Sequence, residues 1–141
     1  MQQQFSEKNR DFILSLGADE HIDYRSKDFE KELIDIDFVF DTQGEEIAAK
    51  SLKVMRTNGN LISIAMMEIS ESLQQQAAPL NINIEAMLVT SNGDDMAFLA
   101  SLLNMGKIKP HVSSVFNFSD MAKAHAALES GRTVGKIALT F

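Results

Sequence analysis

The amino-acid sequence predicts an α/β fold with a mostly parallel sheet, and three observations carry that prediction. Short apolar runs alternate with segments spaced for helices, the pattern of repeated strand-helix units. Phe38-Val39-Phe40 and Leu61-Ile62-Ser63-Ile64-Ala65 are near-continuous apolar runs, as expected of parallel strands covered on both faces. Gly17, Gly106 and Gly131 each stand just past a helical segment, where a glycine stops a helix by turning left-handed.

Taken in order, Ser6 is placed to cap a first helix that carries Phe12, Ile13 and Leu16 on one face and stops at Gly17. His21-Ile22-Asp23-Tyr24 is a short strand, followed by Ser26 as cap of a brief helix with Phe29 and Leu33 at i, i+4. The Phe38-Val39-Phe40 strand ends at Asp41-Thr42-Gln43-Gly44. A helix with Ala48, Leu52 and Met55 at i, i+4, i+7 follows, and Asn58-Gly59 marks the turn into the strand beginning at Leu61. Residues 66–79 are polar, include Gln74-Gln75-Gln76 and have no clear period, so they read as a mobile surface loop. Ile82 and Ile84 with Met87-Leu88-Val89 make a longer strand. Residues 94–105 form a strongly apolar helix, and Lys107-Ile108-Lys109-Pro110 leads into an extended segment over 112–118. Ser119 caps a helix with Met121, Ala124 and Leu128 inward, and residues 136–141 are a final strand. No internal repeat and no linker divides the chain, so it reads as one domain.

Composition narrows the function. At 141 residues, with 45% hydrophobic and 23% charged residues, the chain has the balance of a soluble globular domain. A net charge of -7 argues against nucleic acid as a partner, because phosphate-backbone binding needs a basic face. No stretch approaches a membrane span, and the polar start Met1-Gln2-Gln3-Gln4 is unlike a signal, so the expected location is cytoplasmic. With no cysteine there is no disulfide, no thiolate nucleophile and no Cys-ligated zinc. His21, His111 and His125 lack metal-ligand spacing and read as satisfied or exposed side chains. Asp19-Glu20 and Glu45-Glu46 read as helix-start or loop charges, and Asp94-Asp95 suits the dipole of the helix it opens; none is a catalytic pair. No catalytic and no metal-binding residue is expected.

The ordered series Ser6-Glu7-Lys8-Asn9, Leu16-Gly17-Ala18-Asp19, Ile22-Asp23-Tyr24, Phe40-Asp41-Thr42-Gln43-Gly44, Gly106-Lys107-Ile108-Lys109-Pro110 and Gly135-Lys136-Ile137 resembles the medium-chain dehydrogenase/reductase family. Within it, the series is most similar to the zinc-free quinone oxidoreductase and alkenal reductase type, over nearly the whole chain. In that family a strand, a glycine-rich turn and a helix precede the Ser-x-Lys-Asn segment, and a separate catalytic domain precedes those. No glycine stands before Gly17 here, so the turn whose N–H groups close on a pyrophosphate is missing. Gln43-Gly44-Glu45 also departs from the family, which often has a second glycine at that point.

The resemblance implies a truncated Rossmann-like three-layer sandwich, derived from strand order 3-2-1-4-5-6 without its central first strand. The His21 strand would then pair directly with the Phe38 strand or borrow one from another chain. The implied cofactor is NADPH, with Ser6, Lys8 and Tyr24 at its 2′-phosphate; alternatively these are a helix cap, a solvated lysine and a strand-end aromatic. The resemblance puts Thr42 against the nicotinamide-side ribose and Ala65 and Met66 along the cofactor. Leu88 and Val89 would wall the nicotinamide, or else be plain core. Thr133 and Lys136 would approach from the C-terminal segment, Lys136 offsetting pyrophosphate charge. Without the glycine turn, the isolated chain should bind NADPH weakly or not at all. The implied activity is hydride transfer to a small-molecule quinone or α,β-unsaturated carbonyl in the full-length parent. The alternative is a non-catalytic remnant or excised domain that self-associates. A homodimer is expected by edge pairing of the strand around residues 82–89.

Overall fold

A computed structural model of the chain describes residues 2–5, by their backbone, and 7–141. The chain groups into two compact units, Met1–Val89 and Thr90–Phe141, although the sequence has no linker signal between them. All four strand pairings are parallel.

In the first unit the earliest element is a strand, β1 (Gln2–Phe5), not the helix expected from Ser6. A polar glutamine run gives no strand pattern, so this element rests on its backbone ladder with β2 (Glu20–Asp23), in register from Gln2↔Glu20 to Phe5↔Asp23. The His21 strand therefore pairs with β1, and not with the Phe38 strand. Between them a 3-10 turn (Glu7–Asn9) runs into α1 (Arg10–Ser15), which buries Ile13 and stops where Gly17 takes a φ of 97°. In α2 (Phe29–Glu32) Asp28 stands at the N-cap position, and Ser26 instead donates to the Asp23 carboxylate at 2.9 Å. Phe29 packs with Ile22 and Val54.

The second sheet has order β3-β4-β5, formed by β3 (Ile36–Asp41), β4 (Met55–Ser63) and β5 (Asn83–Ala86). Between β3 and β4, α3 (Glu45–Leu52) buries Ala48 and Leu52, while Met55, read as its continuation, is the first residue of β4. Asn58-Gly59 is not a turn before the strand but an irregularity inside it. Asn58 has a φ of 62°, and the register jumps from Ile36↔Met55 to Phe38↔Asn60. Gly59 is required there by space: a Cβ would lie 3.1 Å from the Arg56 carbonyl and 3.2 Å from that of Asp37.

Residues 66–79 are not a loop. Ser70 caps α4 (Glu71–Ala77), accepting the Leu73 N–H at 3.3 Å, and a 3-10 turn (Ala78–Leu80) follows. Leu73 and Ala77, one helical turn apart, join Ala48, Leu52, Met55, Leu61 and Ile82 in the largest buried cluster. β5 is shorter than expected and stops at Ala86. Phe38 and Phe40 lie on one face of β3 and are both exposed, so that strand is not covered on both faces.

In the second unit, Asn92 caps α5 (Gly93–Asn104) by accepting the Asp94 N–H at 2.9 Å, and Gly106 ends it. α5 has no buried residue despite its apolar sequence. β6 (Val112–Asn117) pairs with β7 (Lys136–Thr140). Ser119 falls inside a 3-10 turn (Phe118–Asp120), leaving Asp120 at the N-cap of α6 (Met121–Glu129). Ala124 is buried as expected, but Leu128 is 58% exposed, not inward. Gly135, at a φ of 84°, lies so close to the His111 carbonyl that a Cβ could not be accommodated.

Candidate functional site

The carboxyl ends of β3, β4 and β5 carry five of the residues singled out from the sequence. In an open parallel sheet this end is where ligands bind, because strand-to-helix loops converge there with unpaired backbone groups. Thr42 follows β3, is exposed, and its hydroxyl accepts from Gln43 Nε2 at 3.2 Å. Ala65 and Met66 follow β4; Ala65 is exposed, while Met66 packs partly against the main core. Leu88 and Val89 follow β5 and are 54% and 94% exposed, so they are not core. With Ile64 and Met87, also exposed, they place apolar surface on the segments beyond β4 and β5.

Beneath these loops sit two buried polar residues that the sequence reading passed over. Asp41, the last residue of β3, accepts the Gln43 N–H at 3.0 Å and the Gly44 N–H at 3.0 and 3.3 Å. Ser63, the last residue of β4, donates its hydroxyl to Asp41 Oδ2 at 2.6 Å and accepts the Ala65 N–H at 3.2 Å. Asp41 had a sequence signal as the polar residue closing an apolar run, whereas Ser63 stands inside one and had none.

The proposed phosphate residues lie elsewhere in the same unit. Lys8 is exposed in the 3-10 turn before α1, and Ser6 lies outside the described residues. Tyr24 follows β2, is half-exposed, and its hydroxyl accepts from Arg25 Nε at 3.3 Å, with the guanidinium 5.6 Å from the ring centre. Arg25 is thus a cation at this turn, unremarked in the sequence. Asp23 pins the turn by accepting the Ser26 hydroxyl and the Arg25 N–H, and those two bonds hold its carboxyl below the usual aspartate range.

Thr133 and Lys136 belong to the second unit. Thr133 donates its hydroxyl to the Ala127 carbonyl at 3.3 Å, and Lys136 opens β7 with its N–H on the His111 carbonyl at 2.8 Å. Two cavities lie away from the strand ends. One, of about 280 Å³, is lined by Arg10, Asp19, Glu20, His21 and Lys27 among others; the second, about 140 Å³ and mostly apolar, includes His125. His21 Nδ1 is 3.9 Å from Glu7, and its buried Nε2 has no partner among the described residues.

The sequence profile of the zinc-binding dehydrogenases matches residues 16–139. The chain belongs to that family. Among curated zinc-binding dehydrogenase relatives, it is 30% identical over 131 residues to the 2-methylene-furan-3-one reductase of Solanum lycopersicum. It is 31% identical over 134 residues to the chloroplastic NADPH-dependent alkenal/one oxidoreductase of Arabidopsis thaliana. The matches take in 92% and 94% of this chain but only 30% and 31% of those proteins. Among solved structures, the quinone oxidoreductase of Coxiella burnetii superposes with a TM-score of 0.84 at 23% identity, over 99% of this chain and 44% of that one. That likeness shows the Rossmann-like α/β fold. The zinc in the family's name does not fit the residues here. The sequence has no cysteine, and among the described residues no group of three His, Asp or Glu side chains is arranged to hold a metal ion. Among the same residues no helix is long and apolar enough to cross a membrane.

Proposed function

We propose that this chain is the nucleotide-binding portion of an NADPH-dependent oxidoreductase that reduces quinones or α,β-unsaturated carbonyls. The observation carrying the proposal is the convergence of Thr42, Ala65, Met66, Leu88 and Val89 on the carboxyl ends of three parallel strands. The names of an alkenal/one oxidoreductase and a quinone oxidoreductase among the similar proteins support that substrate class.

NADPH, when bound, supplies the hydride, so the protein needs no nucleophile of its own. The Thr42 hydroxyl hydrogen-bonds a ribose hydroxyl, and Ala65 and Met66 border the cofactor. Leu88 and Val89 offer apolar surface that excludes water from a nicotinamide ring. Lys8 and Tyr24 take the 2′-phosphate, as would Ser6, and Arg25 adds a guanidinium whose fork suits a phosphate. Thr133 and Lys136 are the remaining cofactor residues that the family resemblance implies. The substrate is a small molecule, the location cytoplasmic and the assembly a homodimer, with neither nucleic acid nor membrane as partner.

A second reading is an excised domain that folds without turnover on its own, and one observation favours it. β2-β1 and β3-β4-β5 are separate sheets, an order of 3-2-1-4-5-6 with no strand 1 between them, so these 141 residues by themselves offer a pyrophosphate no glycine turn. Lost pyrophosphate contacts at roughly 1.5–3 kcal/mol each cost orders of magnitude in affinity. Calorimetry on this 141-residue chain is therefore expected to give a dissociation constant for NADPH well above about 1 μM; tighter binding refutes this second reading. Within the full-length parent, Lys8→Ala weakens NADPH far more than NADH. Equal losses for both would make Lys8 a surface lysine.

A further inference from the structure

We infer that Asp41 and Ser63 are positioning residues that lock the cofactor-bearing loops into one rigid ledge, an inference that rests on the nucleotide-binding reading. Neither touches a ligand, since they are 2% and 0% exposed. The Asp41 carboxylate holds the Gln43 and Gly44 N–H groups, which follow Thr42, and its carbonyl accepts the Ile64 N–H at 3.0 Å. The Ser63 hydroxyl ties that carboxylate to the Ala65 N–H, and the Ser63 carbonyl accepts the Met87 N–H at 2.8 Å. Three loops carrying Thr42, Ala65 and Leu88 are thereby bound to two adjacent side chains and their own carbonyls.

A buried carboxylate is costly unless it is fully hydrogen-bonded, and core volume alone is filled more cheaply by an apolar residue. What the carboxylate supplies here is direction: it draws the backbone after β3 over the end of β4, bringing the position of a Gly44 Cβ to 4.0 Å from the Ala65 carbonyl. The serine hydroxyl has one proton. Because that proton goes to Asp41, its oxygen is left to accept from Ala65, so a single atom joins the two loops.

The test is Ser63→Ala, followed by amide NMR with NADPH and NADH as the probes. The expected result is faster hydrogen exchange at both Gly44 and Ala65. Binding of NADPH and NADH should weaken alike, by about tenfold, the equivalent of a lost buried hydrogen bond. Equal loss for both cofactors separates this effect from the 2′-phosphate residues, whose loss falls on NADPH. Exchange rising at Ala65 alone, or unchanged affinity with the loops loosened, overturns the inference while leaving the nucleotide reading standing. NADPH that moves neither the Thr42 nor the Ala65 amide in the unaltered full-length parent overturns both. Asp41→Asn, which keeps one acceptor oxygen for Gln43 and Gly44 but removes the one Ser63 donates to, is the second variant and should show the same pattern.

Discussion

Asp23 supports the Tyr24 turn in a way its place at the end of β2 does not reveal. Its carboxylate accepts from the Ser26 hydroxyl and the Arg25 N–H, and the first of these does most to lower its affinity for a proton. A group whose folded pKa is depressed adds stability above its unfolded pKa and loses it as pH falls through the folded value. For Asp23 that window lies below about pH 4, the ordinary range of an aspartate. Carbon-detected NMR should find its midpoint below the ordinary value, moving up toward it in Ser26→Ala. A midpoint at or above the ordinary value in the unaltered chain would mean that the two bonds do not persist in solution. At neutral pH the turn is therefore held, with Tyr24 and Arg25 presented together.

Among the elements, α4 was hidden and β4 was misread for different reasons. In 66–79 the eye meets glutamines and serines, yet Leu73 and Ala77 fall one helical turn apart with Ser70 as cap, which is enough for a helix whose buried face is only two residues wide. Leu73 is fully buried, so Leu73→Ala is expected to cost about 2–5 kcal/mol in urea unfolding. A loss under about 0.5 kcal/mol would return the segment to the surface loop read from its composition. Asn58-Gly59 carries a true turn signal, but the chain spends it on an irregularity within a strand because Met55 and Leu61 must both reach the core. β1 was illegible because glutamine favours no strand, and only a ladder with β2 reveals it. The end of β3 was legible, since its apolar run stops at Asp41, but β4 ends at Ser63, short of the Ala65 to which its apolar run pointed. Ser63 was counted as part of a strand; its bond to Asp41 spans 22 residues of sequence, which no local pattern reports.

For the molecule as a whole, the proposed homodimer turns on what becomes of β5. Among the described residues it pairs with β4 on one side only, and an edge left without a partner can template a second copy about a two-fold axis. α4 covers the neighbouring sheet more fully than its glutamines suggest, packing Leu73 and Ala77 against Leu61 and Ile82, but among the described residues the β5 backbone edge stays open. The edge is four residues long, so backbone pairing alone is thin, and exposed Met87, Leu88 and Val89 just beyond it must add apolar contact. Bonding direction alternates along a parallel strand, and the Met87 N–H goes inward to the Ser63 carbonyl. Glu85 and Asn83 then share that inward side, and the Ile84 N–H points out. Ile84→Pro removes an outward donor while sparing the β4 ladder, so it should yield a monomer that keeps the helix and sheet signals of the parent. Light scattering at micromolar concentration reads the outcome directly. A mass near 15.6 kDa for the unaltered chain removes the dimer, and an Ile84→Pro variant that remains dimeric moves the interface away from β5.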